Sequence, residues 1–485
     1  MTAEIGNPVE ECLGVIAFGV DQRKRDDLRT AGRAFAAGLL AARDIPVEEG
    51  RDLRALALYN LSLLEMGRGK AVEARQVREH ATALLGEDPG ALLPPHLLPL
   101  FQELMADVLT GLGEYRLAIQ FCEASVENAI ELLNDPVSTA AALWRAGKCY
   151  GKIGLRDHAA IPLRAAVKIF RTLAGDPRLP AVLLDLGNAL RKRNQTEAEQ
   201  CYREAADFHI ARTQLESAAP AWVNLGVLCN EQGRYAESLA YYERALHVRE
   251  QSPGTSRERL GVLLNNMANT RRRMREFDEA HRSADRAREL LEPAGGHSLA
   301  CAYGTKGLIF RDLGLDQQAV EWFRKSAVEH QKQPSPNLST LCEELENEAA
   351  ALERLGMLEE SRDAHRRLES VRATMASVAA VDREFEDPKP PAEGAVLVEL
   401  SFGRRDVTRL QRRLHDLLEE NGCGFYGGRV AIPEATTLMF YGQNAEAMFS
   451  TIYPLLEHDP LCVGSKITVR QGERSREVLL PGRVM

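Results

Sequence analysis

The feature that most constrains the fold is an internal repeat of small residues that extends through most of the chain. At spacings of 39 to 44 residues, Gly, Ala or Ser recurs at Ser62, Ala106, Gly147, Gly187, Gly226, Ala268, Gly307 and Ala349. A second small residue follows twelve positions later in seven copies, and eleven positions later in the fourth copy. Helices approach to about 8–10 Å only where small side chains lie at the contact. The spacing therefore predicts eight helical hairpins, which must stack because a single hairpin cannot bury its own apolar face.

One copy carries a fuller pattern than the others. It reads W-x2-L-G from Trp222 to Gly226, then G-x-Y from Gly233 to Tyr235, followed by a small residue, an aromatic residue and Ala. This pattern resembles the tetratricopeptide repeat (TPR) family. The mean period of about 41 residues exceeds the usual 34 of that family, and is similar to that of the longer repeats in kinesin light chains. The resemblance implies a mostly α fold, a right-handed α-solenoid of about eight hairpins, with the first helices lining a concave groove.

The hydrophobic pattern changes after the repeats. We expect N-terminal capping helices in residues 1–50, the TPR solenoid in 51–375, a linker in 376–394 and a separate α+β domain in 395–485. The linker is predicted from Asp387-Pro388-Lys389-Pro390-Pro391, which is stiff and breaks helices. The order strand, helix, strand, strand, helix, strand, followed by a further strand, predicts a ferredoxin-like βαββαβ domain. The second helix is expected at Ala445–His458 and the last strand at Arg476–Leu480. Because that fold supports many unrelated functions, it predicts no activity.

Charge and cysteine content narrow the functional classes. The net charge of −9 argues against a general nucleic-acid binder, which would be strongly basic. Nine cysteines spread over a long chain fit a reducing compartment. No apolar run approaches the roughly 18 residues that span a membrane, and the N-terminus lacks the basic start of a secretory signal. We therefore expect a soluble cytoplasmic protein, and the excess of Arg over Lys suggests a GC-rich bacterial genome.

No arrangement of residues indicates catalysis. The eleven histidines form neither H-x3-H nor H-E-x-x-H, and no phosphate-binding loop or nucleophile–base pattern is present. The G-x-G-x-x-G stretch 422–427 follows a predicted helix and precedes a strand, so it is interpreted as a glycine-rich loop without a nucleotide. We expect no enzyme activity, no cofactor and no metal site. An enzyme hidden in the C-terminal domain is the minor alternative.

Under the TPR resemblance, groove-facing positions lie one and four to five residues after each small residue. Cations and amides recur there, and Asn also precedes the small residue by two positions in several copies, with Asn224 and Asn266 among them. The candidate partner-binding residues are Lys148, Lys152, Asn188, Arg191, Lys192, Asn224, Asn230, Asn266, Asn269, Arg272, Arg273 and Arg311. Arg binds carboxylates bidentately and Asn pairs with a ligand backbone, so an extended acidic segment or a terminal carboxylate is the expected ligand. The alternative is that these cations only stabilise helix C-termini through the helix dipole.

Two functions follow from this interpretation. The leading hypothesis is a non-catalytic scaffold that binds a peptide or partner protein in the concave groove. The alternative is a regulatory switch in signalling or transcription, in which a peptide or other ligand changes the curvature of the solenoid.

Overall fold

The computed structural model describes residues 7–48, 50–85, 89–128, 135–152, 154, 156–252, 254–333, 337–384, 394–400, 407–432, 435–471 and 474–481. The chain forms two compact units, which are described separately. One consists of Met1–Leu190 and Pro391–Met485, and the other of Arg191–Pro390. Among the described residues, no helix has both the length and the apolarity needed to cross a membrane.

The N-terminal segment of the first unit is helical. Its described helices are α1 (Pro8–Lys24), α2 (Leu28–Ala41), α3 (Arg51–Gly67), α4 (Ala71–Leu84), α5 (Leu98–Leu112), α6 (Tyr115–Asn128), α7 (Pro136–Lys152), α8 (Arg156–Thr172) and α9 (Leu179–Leu190). Consecutive helices from α1 to α4, and from α5 to α9, pack against each other. The helix pairs are those that the spacing of small residues predicts, with one additional pair at the N-terminus.

The second unit is also built from helices. Its described helices are α10 (Gln195–Ile210), α11 (Leu215–Glu231), α12 (Tyr235–Gln251), α13 (Arg257–Arg273), α14 (Phe277–Leu291), α15 (Gly296–Asp312), α16 (Asp316–Gln331), α17 (Leu338–Arg354) and α18 (Leu358–Glu384). The pairs α11–α12, α13–α14, α15–α16 and α17–α18 are hairpins with extensive contacts. Residues 376–384, which the sequence analysis assigned to the linker, continue α18, and residues 385–393 lie outside the described part.

The small residues lie where the two helices of a hairpin touch. A Cβ atom added to Gly226 would be 2.4 Å from Cε1 of Tyr242, and one added to Gly307 would be 2.6 Å from the ring of Phe323. In both copies the large residue follows the glycine by sixteen positions. The glycine therefore makes room for a ring that fills the centre of the hairpin.

The turn between paired helices also repeats. Seven positions after the small residue, the backbone adopts a positive φ in most copies, as predicted for the turn glycines. These residues are Gly69, Gly113, Gly154, Gly233, Arg275, Gly314 and Gly356. Glycine adopts this conformation at little cost, which explains its recurrence at the end of the first helix.

The pair α1–α2 is a further copy of the same hairpin. Gly19 precedes Ser62 by 43 residues, Ala31 follows it by twelve, and Asp26 has the positive φ of the turn. A Cβ on Gly19 would lie 2.6 Å from the ring of Phe35, sixteen positions later. The expected capping helices in residues 1–50 thus have the geometry of the repeat itself.

The C-terminal segment of the first unit contains an antiparallel sheet. Its strands are β1 (Gly394–Leu400), β2 (Phe425–Ile432), β3 (Ala435–Gly442), β4 (Lys466–Gln471) and β5 (Arg474–Leu479), in the spatial order β2-β3-β1-β4-β5. Helices α19 (Val407–Glu420) and α20 (Ala445–His458) and a short 3-10 helix (Pro460–Cys462) complete it. The element order is the predicted one, and the ferredoxin-like assignment stays a prediction.

Apolar side chains from the sheet and both helices form one core in this segment. It includes Val398 and Phe440 from the sheet, Leu414 from α19 and Ile452 from α20, all fully buried. The edge strand β2 also contacts α6 and α8 within the same unit. Residues 422–427 were predicted to form a loop, but β2 begins at Phe425, so the second half of that glycine-rich stretch is strand.

Candidate partner-binding face

In the second unit, one repeat position links neighbouring copies by polar contacts. The residue four positions after the small residue reaches a polar group of the next copy each time. The contacts are Arg191 Nη1 to Glu231 Oε1 at 3.2 Å, Asn230 Nδ2 to Thr270 Oγ1 at 2.5 Å, Arg272 to Asp312, and Arg311 Nη1 to Asn347 Oδ1 at 2.8 Å. We call these four contacts the polar ladder. It shows that these candidate side chains share one face of the second unit.

Within the polar ladder, Asp312 accepts hydrogen bonds from two arginines. Arg311 donates to Asp312 Oδ1 through Nε at 3.0 Å and Nη2 at 2.8 Å, and Arg272 pairs with the other carboxylate oxygen. Although burial opposes the shift, hydrogen bonds from Arg311 and Arg272 hold the pKa of Asp312 below its usual range. Arg272 also donates to Asn269 Oδ1 through Nε at 3.1 Å and Nη2 at 2.9 Å, and its side chain is only 10% exposed. Arg272 and Asn269 are therefore largely engaged inside the protein.

Two candidate cations that follow ladder residues in the sequence remain accessible. Lys192 follows α9, Arg273 ends α13, and both are exposed. Neither has an ion pair within 4.0 Å among the residues that the structure describes. Since Glu231 and Asp312 balance part of the ladder charge, the accessible positive charge comes mainly from these two side chains. The face is thus less basic than the residue types alone suggest.

Two candidates in the first unit, Lys148 and Lys152, lie near the hydrogen-bonded pair Trp144 and Asp185. Trp144 Nε1 donates to Asp185 Oδ2 at 2.7 Å, which links α7 to α9, and Lys148 Nζ lies 5.4 Å from the centre of the Trp144 ring. Burial raises the pKa of Asp185, against the Trp144 hydrogen bond and the positive charges of Lys148 and Lys152. Lys148, Lys152 and Asn188 are exposed on these helices. Lys148 and Lys152 thus place positive charge beside the hydrogen bond that joins α7 to α9.

Two of the candidate amides occupy a repeat position that differs from that of the ladder residues. Asn224 on α11 and Asn266 on α13 precede the small residue by two positions and are half-buried. Asp185 and Asn347 occupy the same repeat position and accept hydrogen bonds from neighbouring copies. Asp185, Asn347 and Thr270 are not among the candidate residues predicted from the sequence. The recurrence of polar residues two positions before the small residue is the signal that points to this position.

Comparison with known proteins gives a match to repeats of this kind. Residues 217–293 match the family model described as tetratricopeptide repeat. Among solved structures, the apo form of RapI has 13% identity and a TM-score of 0.54, with 76% of this chain and 99% of that chain covered. The apo form of the quorum sensor NprR from B. thuringiensis has 14% identity and a TM-score of 0.51, with 75% and 99% covered. BtubC from P. vanneervenii has 22% identity and a TM-score of 0.39, with 50% and 92% covered.

A search of curated proteins finds no match to this chain. The likeness to RapI and NprR, at these identities, concerns the fold. The chain is thus mostly helical, with a TPR match in its second unit and structural neighbours of the TPR type.

Proposed function

We propose that the protein is a non-catalytic interaction scaffold whose second unit binds an extended peptide segment of a partner protein. The binding surface is the polar ladder together with the exposed cations Lys192 and Arg273. The preferred ligand is an acidic segment, because its carboxylates would pair with accessible ammonium and guanidinium groups.

The observation that carries this proposal is the regular contact between successive first helices. From Arg191 to Asn347, every copy on this face donates to the next. Such contacts fix the side chains before a ligand arrives, which lowers the entropy cost of binding. A row of hydrogen-bonding groups that repeats once per hairpin suits a long ligand with several weak contacts.

The test is a charge reversal of the accessible cations only. Peptides selected by the full-length protein from a displayed library rich in Asp and Glu would be labelled, and their affinity measured by fluorescence anisotropy. The double variant Lys192→Glu/Arg273→Glu is expected to bind at least about 10-fold more weakly, equivalent to about 1.4 kcal/mol. Since neither side chain is buried, the fold should be unaffected.

The matched control reverses two exposed cations on second helices, Arg244→Glu on α12 and Arg282→Glu on α14. This variant has the same net charge change and should keep the affinity within about twofold. Equal losses in both double variants would mean that only overall charge matters. Unchanged affinity in Lys192→Glu/Arg273→Glu would remove this face as the binding surface.

A second candidate function is a ligand-responsive switch, favoured by the fold similarity to the quorum sensor NprR. In that case a bound peptide would shift the population between two arrangements of the hairpins. Small-angle scattering of the full chain with and without the selected peptide distinguishes the two. A change in the radius of gyration supports the switch, and an unchanged profile with bound peptide supports the scaffold.

A further inference from the structure

Three side chains with metal-binding atoms meet at one end of the α15–α16 hairpin. His297 and Cys301 lie one turn apart on α15, and His330 lies near the end of α16. One ligand atom from each, an imidazole nitrogen or the thiol sulfur, lies within 4.8 Å of the others. Helix geometry places His297 about 21 Å along α15 from Arg311, so this cluster is distinct from the polar ladder.

The spacing of these atoms suits a tetrahedral metal ion. His297 Nε2 and Cys301 Sγ are 3.6 Å apart. For a tetrahedral zinc ion with Zn–S of about 2.3 Å and Zn–N of about 2.0–2.1 Å, the expected S···N separation is about 3.6 Å. The pair therefore has the separation of two ligands on one zinc ion without rearrangement of the helix.

His330 provides a second and independent observation. Its side chain is completely buried, and neither Nδ1 nor Nε2 has a hydrogen-bond partner among the described residues. Its ring lies against that of His297, with centroids 5.2 Å apart. A buried imidazole without a partner costs free energy, since buried polar atoms are normally hydrogen-bonded. A metal ion bound to a ring nitrogen would remove this cost.

The backbone around the cluster is held in place by the neighbouring acid. Glu329, next to His330, accepts a hydrogen bond from the Gly296 backbone N–H at 2.9 Å, next to His297. Lys332 also pairs with the Glu329 carboxylate at 2.7 Å. These contacts fasten the start of α15 to the end of α16, and so fix both histidines relative to each other.

We propose that His297, Cys301 and His330 bind a zinc ion. A thiolate and two neutral imidazoles are ligands that zinc prefers. Three protein ligands leave the fourth position for a water molecule. This assignment differs from the expectation from the sequence, which was that the protein has no metal site. The donors follow the pattern H-x3-C with a histidine 29 residues after the cysteine, which a search for paired histidines does not detect.

The test uses cobalt as a spectroscopic probe of the full-length protein after treatment with a chelator. Titration with Co²⁺ is expected to give one equivalent of tetrahedral d–d absorption and a near-ultraviolet sulfur-to-cobalt charge-transfer band, both lost on addition of Zn²⁺. Cys301→Ser should lose the charge-transfer band. His330→Phe should weaken Co²⁺ binding by more than about 100-fold, because even outer partners of ligands contribute 10–100-fold.

The exposed His297 supplies a variant that leaves the core intact. His297→Ala should weaken Co²⁺ binding while keeping the thermal midpoint of the metal-free protein. Cys423→Ser and His247→Gln, a half-buried cysteine and an exposed histidine outside the cluster, should bind Co²⁺ as the wild type does. An octahedral cobalt spectrum in the wild type, or a charge-transfer band that persists in Cys301→Ser, would overturn the site.

Discussion

At the residue scale, the centre of five hairpins is set by a pair of positions sixteen residues apart. Where the first position is Gly, the second is large, as in Gly19 with Phe35 and Gly147 with Leu163. Where the first position is Ala268, the second is Ala284, and both are fully buried in one cluster. In these hairpins the larger first residue therefore goes with the smaller second one, as close packing requires.

Two glycines of α1 provide a direct test of this pairing. A Cβ on Gly19 would overlap the Phe35 ring, whereas a Cβ on Gly14 meets no atom within 4 Å. We expect Gly19→Ala to lower the free energy of unfolding by about 1–3 kcal/mol through overpacking. Gly14→Ala should raise it by about 0.5–1 kcal/mol, because alanine favours the helix. Denaturant unfolding monitored by circular dichroism measures both, and the same sign in both variants would contradict the pairing.

The sequence was sufficient to predict the hairpins, because small residues recur at the contacts and the turns. Gly19 and Ala31 have the same spacing, yet they were expected to belong to a cap rather than to a further hairpin. The partners of the cations could not be predicted in the same way. The acid that pairs with Arg272 belongs to the next copy, and its position relative to Arg272 is set by how the two copies pack.

At the element scale, a buried carboxylate joins three helices of the second unit. Glu348 on α17 has a side chain only 2% exposed. It accepts from Arg324 Nε on α16 at 2.7 Å and lies 3.3 Å from Arg367 Nη1 on α18. The two arginines are partly exposed, so they can reach water, whereas the carboxylate cannot.

This difference predicts an asymmetry between two substitutions. Arg324→Met/Arg367→Met leaves the carboxylate buried without a cation and should cost about 3 kcal/mol or more. Glu348→Met removes the buried charge and lets both arginines extend into water, so its cost should be below about 1.5 kcal/mol. Denaturant unfolding of both variants checks this. If Glu348→Met lost more free energy of unfolding than Arg324→Met/Arg367→Met, the ion pairs themselves would dominate the stability of the contact among α16, α17 and α18.

Element boundaries differed in how well the sequence predicted them. The helix predicted at Ala445–His458 has these bounds in the structure, since Asn444 caps its start by accepting hydrogen bonds from two backbone N–H groups. The last strand was predicted at Arg476–Leu480 and lies at Arg474–Leu479. Its side chains are almost all exposed, and a strand without a buried face has a weak hydrophobic pattern to mark its ends.

At the scale of the whole molecule, the first unit combines the beginning and the end of the chain. The contact of β2 with α6 and α8 covers one edge of the C-terminal sheet. Covered edges are protected from pairing with other strands. The sequence could not predict this contact, because residues more than 250 positions apart meet there without a repeated pattern.

Removal of the C-terminal domain tests this arrangement. A chain truncated after Glu384 should show faster amide hydrogen exchange in α6 and α8, because both helices lose their contact with β2. Helix α3, which contacts mainly α2, α4 and α5, serves as the internal reference and should be unchanged. Unaltered exchange in α6 and α8 would mean that the sheet does not stabilise these helices.

The matched positions within each hairpin have a consequence for engineering. Although the copies have nearly the same period, their halves are not modular. In a chimera that pairs α13 with α12, the methyl group of Ala268 would overlap the ring of Tyr242. In a chimera that pairs α11 with α14, Gly226 would lie opposite Ala284 and leave a void between the helices. Consensus design on this chain must therefore exchange whole hairpins, or transplant both members of a pair together.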